Sequence, residues 1–216
     1  MKNMKALLVI TLAFIVIACG GAEERKAVYM EKADQALNAG DLDKARINLK
    51  NVLQIDPKDA AATFMLGNIF ERKKEYKKAF RQYNKAAELD PENNEYQAKL
   101  GRFYLILGGD IDMATEQMDL VLSRDKTYVE GLLLKAGILL KQKNAADAKE
   151  ISRNIFEDHP DHVDNAVFLS SLYAQDKEYT EAITVLDAAL ESNPDDQSLL
   201  SMLGNTLYLN KDYERS

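Results

Sequence analysis

Pro57, Pro91, Pro160 and Pro194 are separated by 34, 69 and 34 residues, the middle gap being two periods with one inserted residue, and Lys126 stands at the vacant position between them. A period of that length holds one supersecondary unit, which cannot bury its apolar face alone and must stack on the next copy. The register persists away from the prolines. Taking Lys26, Ala60, Asn94, Val129, Val163 and Gln197 as first positions, the eighth is small throughout: Ala33, Gly67, Gly101, Ala136, Ser170 and Gly204. The twentieth is Ala45, Ala79, Ala114, Ala148 and Ala182, once the third copy is given an extra residue at Gly108-Gly109. The twenty-seventh is Val52, Ala86, Val121, Ile155 and Ala189.

This pattern reads as two helices per repeat. Small residues at the eighth and twentieth positions let helix A and helix B approach closely, while larger ones such as Leu66, Phe70, Leu100 and Tyr104 fill the layer between repeats. The prolines follow the ends of helices B, where a missing amide donor is harmless; inside a helix each would cost about 3 kcal/mol. Gly40 and Gly108 fall where helix A turns into helix B, and Asp59 is placed to cap the helix after Pro57. The expected repeats are 26–59, 60–93, 94–128, 129–162 and 163–196, with 197–216 opening a sixth.

These residues resemble the tetratricopeptide repeat (TPR) family over Lys26 to Ser216. Lys126 for proline, Ser170 at a Gly/Ala position, Ser152 in place of a larger residue, the Gly108-Gly109 insertion and the lack of tryptophan depart from the family pattern. The resemblance implies an all-α fold, a right-handed superhelical solenoid of antiparallel helix pairs, whose helices A line a groove that binds peptides or partner helices. Its groove positions carry over to Phe64, Asn68 and Arg72 in the second repeat, Arg102, Leu105 and Ile106 in the third, and Leu133, Leu140 and Lys141 in the fourth. On that reading Leu105, Ile106, Leu133 and Leu140 form an apolar patch, and Arg72, Arg102 and Lys141 a basic track for a partner carboxylate, with ordinary solvated charge as the alternative.

The amino terminus has a different character. MKNMKALLVITLAFIVIACG carries two lysines, then thirteen residues from Ala6 to Ala18 with Thr11 as the sole polar one, then Cys19. Thirteen helical residues reach about 20 Å, short of a roughly 30 Å hydrocarbon core, so the segment reads as an export signal over 1–18. Val16-Ile17-Ala18-Cys19 resembles the bacterial lipobox. The resemblance implies cleavage before Cys19, a diacylglycerol on its sulfur, and a short tether over 19–25 that leaves the array anchored on the periplasmic side, with the outer membrane favoured because Gly20 rather than Asp follows.

Composition narrows function by exclusion. With 35 acidic and 28 basic residues, net −7, a broad phosphate-binding surface is disfavoured, although a local basic patch can survive, and nucleic acid is not expected as a partner. One cysteine allows no internal disulfide. Asp158-His159-Pro160-Asp161-His162, with Asp164, is the sharpest metal candidate, yet Pro160 breaks the helix on which the pair would converge, and the plain reading is a polar turn. No Gly-rich phosphate loop or nucleophile with an adjacent base is visible. No cofactor, metal or enzymatic activity is therefore expected.

The expected function is a membrane-anchored interaction scaffold that binds an envelope protein or peptide segment, with a structural spacer as the competing reading. The lipobox followed by "LDKARINLKNVLQIDPKDAAATFMLGNIF" is similar to TPR lipoproteins of Gram-negative bacteria. Those associated with exosortase and exopolysaccharide clusters and the type IV pilus pilotins are the nearest subfamilies. Residues 197–210, QSLLSMLGNTLYLN, carry more apolar side chains than a solvent-facing terminal helix needs, which fits either part of a longer repeat protein or a partner-docking face.

Overall fold

The structure, a computed structural model, describes residues 21–211; residues 1–18, read above as an export signal, together with Cys19 and Tyr213, lie outside the described residues. Helix α1 occupies 21–38. It is followed by α2 (Leu42–Ile55), α3 (Ala60–Arg72), α4 (Tyr76–Leu89), α5 (Asn94–Leu107), α6 (Ile111–Arg124), α7 (Val129–Lys141), α8 (Ala145–Asp158), α9 (Val163–Gln175), α10 (Tyr179–Ser192) and α11 (Gln197–Leu209). Among the described residues there is no strand, and no helix is long and apolar enough to cross a membrane.

Short polar side chains set the helix starts. Asp41, Asp59, Asp110 and Asp196 accept from the amides of Lys44, Ala62, Met113 and Leu199 at 2.8–3.1 Å, each satisfying a donor that the first turn leaves without an intrahelical partner. The turns from helix A to helix B share one backbone device. Gly40 and Gly109 have φ +74° and +64°, and Lys74, Lys143, Lys177 and Lys211 occupy the equivalent place at φ 59–65°. In the third repeat it is Gly109, rather than Gly108, that takes the left-handed conformation. Around Lys74 the amide of Glu75 reaches Phe70 O and that of Lys74 reaches Glu71 O, both at 2.8 Å, so the left-handed residue closes the helix in a Schellman arrangement.

The chain divides into two compact units, one ending at Tyr96 and the next beginning at Gln97, within α5. In the first, Ala33, Ala45, Leu49, Val52, Ala62 and Ile69 form a fully buried core. Tyr83 of α4 is also fully buried, and a Cβ on Gly67 would lie 2.5 Å from its ring, so the glycine is what admits the tyrosine. In the second unit Ala114, Ala136, Ala148, Ala166, Ala182 and Ala189 have no exposed surface, which is the close helix approach that small residues permit.

The fourth and fifth repeats add a polar joint. Ser152 Oγ donates to Asn165 Oδ1 at 2.5 Å, and Asn165 Nδ2 donates to Ser152 O at 3.0 Å, both residues being fully buried. Ser152, irregular by family pattern, thus leaves room for an amide from α9 and satisfies it.

Candidate functional site

Within the first unit, the candidate positions on α3 divide between core and surface. Phe64 is only 6% exposed, its ring centroid lying 5.3 Å from that of Tyr83 and 4.5 Å from that of Tyr96. It belongs to an aromatic core rather than to an open binding face, which corrects the sequence expectation. Asn68 is half-buried, and its Oδ1 lies 2.8 Å from the Tyr83 hydroxyl, whose proton it shares with Glu71 Oε2 at 2.6 Å. Arg72 is exposed at the end of the helix.

In the second unit α5, α7 and α9 share a face. Arg102 Nη1 on α5 meets Asp164 Oδ2 on α9 at 2.5 Å, so a side chain of the third repeat reaches the fifth across the fourth. Both side chains are about half exposed, which places the pair in the range of roughly 0–1 kcal/mol. The basic track expected from sequence is thereby corrected: Arg102 already has an anionic partner, while Lys141 is exposed on α7 without one among the described residues.

Leu105 also departs from expectation. It is 7% exposed and packs with Ala114, Leu134 and Ile138. The physical reason is Gly137, where a Cβ would stand 3.3 Å from Leu105 Cδ1; the missing side chain lets leucine sink between α5 and α7. Leu140 is half-buried against Ala136, Ala148 and Leu172. Leu133 is half-buried, and Ile106 is half exposed. The apolar surface left on this face is therefore Ile106 with the outer parts of Leu133 and Leu140.

His162, singled out above in a possible metal cluster, has two structural partners. Its Nδ1 accepts from the Asn165 amide at 3.3 Å as the cap of α9, and its Nε2 lies 3.5 Å from Glu130 Oε1 on α7. Among the described residues no group of three His, Cys, Asp or Glu side chains is arranged to hold a metal ion. Hydrogen bonding to Glu130 is the largest effect raising the His162 pKa above its ordinary value, partly opposed by burial; the Glu130 carboxyl is lowered by the same contact. A raised histidine contributes stability that is fully present below the unfolded value, about 6.5, and is lost as pH rises through the folded value. Protonation forfeits the Nδ1 acceptor of the 3.3 Å cap, which sets a limit on the net gain from the 3.5 Å pair with Glu130. His162→Asn keeps a capping oxygen and removes the pair. The wild type is expected to exceed this variant by under about 1 kcal/mol near pH 5.5 and to converge with it by about pH 8, as read from urea midpoints.

Sequence reasoning missed Glu130 and Tyr83, and it singled out Asp164 only as a member of the possible metal cluster, not as the partner of Arg102. Asp164 and Glu130 stand at the second position of their repeats, a groove position in the family pattern, and that was the available signal.

Profiles of the tetratricopeptide repeat family match residues 30–94 and 139–207. The chain belongs to that family, whose repeats mediate protein–protein interaction. Its relatives include BBSome complex member BBS4 of Bos taurus, 32% identical over 167 residues, covering 75% of this chain and 31% of the relative. The type IV pilus assembly protein PilF of Pseudomonas aeruginosa is 27% identical over 165 residues, 75% of this chain and 65% of its own. The chain thus spans about a third of the length of BBS4 and just under two thirds of PilF. A thermophilic TPR protein of Thermus thermophilus has the same fold, with TM-score 0.71 and 17% identity over 85% of this chain and 99% of that one.

Proposed function

We propose that this protein is a membrane-anchored, periplasm-facing interaction scaffold, held by a lipid on Cys19, that binds a peptide segment or helix of an envelope-assembly partner on the face carried by α5, α7 and α9. The observation that supports the binding face is the Arg102–Asp164 pair at 2.5 Å, which spans that face while remaining about half exposed, whereas the anchor rests on the sequence of residues 1–19. An exposed pair is worth little by itself, so a partner carboxylate can replace Asp164 on Arg102 at small cost, while Ile106, Leu133 and Leu140 supply adjacent apolar surface. Lys141 adds a second cation on α7.

The relationship to PilF favours pilus assembly as the pathway, with polysaccharide export as the alternative suggested by the sequence resemblance. The test is crosslinking of envelope partners to the wild type, to the doubly substituted exposed pair Ile106→Asp/Lys141→Glu and to a remote surface control, Glu181→Lys. The groove variant is expected to lose recovery at least about tenfold with its melting curve preserved, while the control retains it. Equal recovery from both would place the partner elsewhere. Fatty-acid labelling abolished in Cys19→Ser is the expected result for the anchor, and undiminished labelling would remove it.

A further inference from the structure

Seven of the fifteen residues from Glu71 to Lys85 are lysine or arginine, in a chain whose net charge is −7. The two acids of this segment are engaged: Glu75 pairs with Lys78, and Glu71 shares the Tyr83 hydroxyl. Lys73 is held by Asp43 at 2.5 Å. Lys74, Lys77 and Arg81 are exposed and make no ion pair or side-chain hydrogen bond among the described residues. Lys77, Arg81 and Lys85 recur every fourth residue on the face of α4 opposite its buried Ala79, Tyr83 and Ala86, forming a stripe about 12 Å long. Lys74 extends it from the left-handed turn, and Tyr76, 41% exposed, stands beside it.

We propose that this outward face of α4 docks on an anionic phospholipid surface. The groups form a line on a helix exterior rather than a cleft, which suits a laterally mobile layer of phosphates better than a fixed set of carboxylates. Tyr76 offers the amphipathic ring that favours a membrane interface. The stripe also ends near the start of the described chain: Lys85 Nζ donates to Pro57 O at 3.4 Å, and the adjoining Asp56 and Asp59 hold Lys26 of α1 at 3.2 and 3.5 Å. The amino-terminal part of α1 around Lys26 therefore lies at the Lys85 end of the stripe. Repulsion from the acidic remainder fades beyond a screening length of about 8 Å, so the local charge governs contact.

The inference uses the proposed anchor as one argument, and its test separates the two. The full chain is titrated with phosphatidylcholine vesicles and with equimolar phosphatidylcholine–phosphatidylglycerol vesicles, and the ratio of the two partition constants is measured. An apolar leader or acyl anchor contributes to both constants; the stripe raises only the second. For the wild type the ratio is expected to fall with salt, and Lys74→Glu/Lys77→Glu/Arg81→Glu should reduce it by more than about 100-fold. The corresponding triple glutamine variant, less disruptive to the fold, should reduce it less, and Cys19→Ala should leave it unchanged even if binding to neutral vesicles falls. Acetylation of Lys74 and Lys77 should slow on anionic vesicles while that of Lys135 in α7 does not. A ratio unchanged in both folded triple variants overturns the proposal. So does salt-sensitive capture of an acidic protein, lost in the glutamate variant, in the absence of any anionic-lipid preference.

Discussion

Gly101→Leu is expected to lower the unfolding free energy by about 3 kcal/mol, at the upper end of the usual cost of inserting volume into a packed core. A Cβ at this position would lie 2.4 Å from Leu134 Cδ2 and 3.0 Å from Gln117 Cβ, so leucine collides with the following helix A and with helix B of its own repeat. The equivalent Gly204 in α11 meets nothing within 4 Å among the described residues. Gly204→Leu should therefore be neutral or slightly stabilising, since leucine is favoured over glycine in a helix by somewhat less than about 1 kcal/mol. Urea melts of the two variants distinguish packing from propensity at one repeat position, and equal effects would show that close approach is not what the glycine serves.

Much of this was legible in the sequence because it depends on periodic size. Ala45, Ala79, Ala114, Ala148 and Ala182 recur at one repeat position and are all fully buried. Cap residues were partly readable, as Asp59 shows. The left-handed positions at Lys74, Lys143 and Lys177 were hidden, because lysine carries no signature of that conformation and only Gly40 and Gly109 announce it. The site was less readable than the fold. Arg102 and Asp164 are 62 residues apart and meet only because α5 and α9 come within reach of each other across the intervening repeat. Leu105 was misplaced because its burial is decided by an absent side chain on another helix, at Gly137. Phe64 was misplaced for the complementary reason, that Tyr83 and Tyr96 surround it.

Tyr83 should carry the largest single contribution in the first unit. It is fully buried, stacks at a tilt of 51° against Phe64, and places its hydroxyl between Asn68 and Glu71. Tyr83→Ala is expected to cost about 4 kcal/mol, the range for removing a buried aromatic side chain, whereas Tyr83→Phe should cost about 1 kcal/mol through loss of the hydroxyl's hydrogen bonds to Asn68 and Glu71. Coupling to Gly67 gives the sharper test. In the wild type a leucine at Gly67 would overlap the Tyr83 ring, but in a Tyr83→Ala background it would enter the space that ring vacates. The cost of Gly67→Leu should therefore shrink by at least about 2 kcal/mol in the double variant, a coupling typical of residues in direct contact. Denaturant midpoints for the four proteins of this cycle measure that term, and simple additivity would mean that something other than the Tyr83 ring requires glycine at position 67.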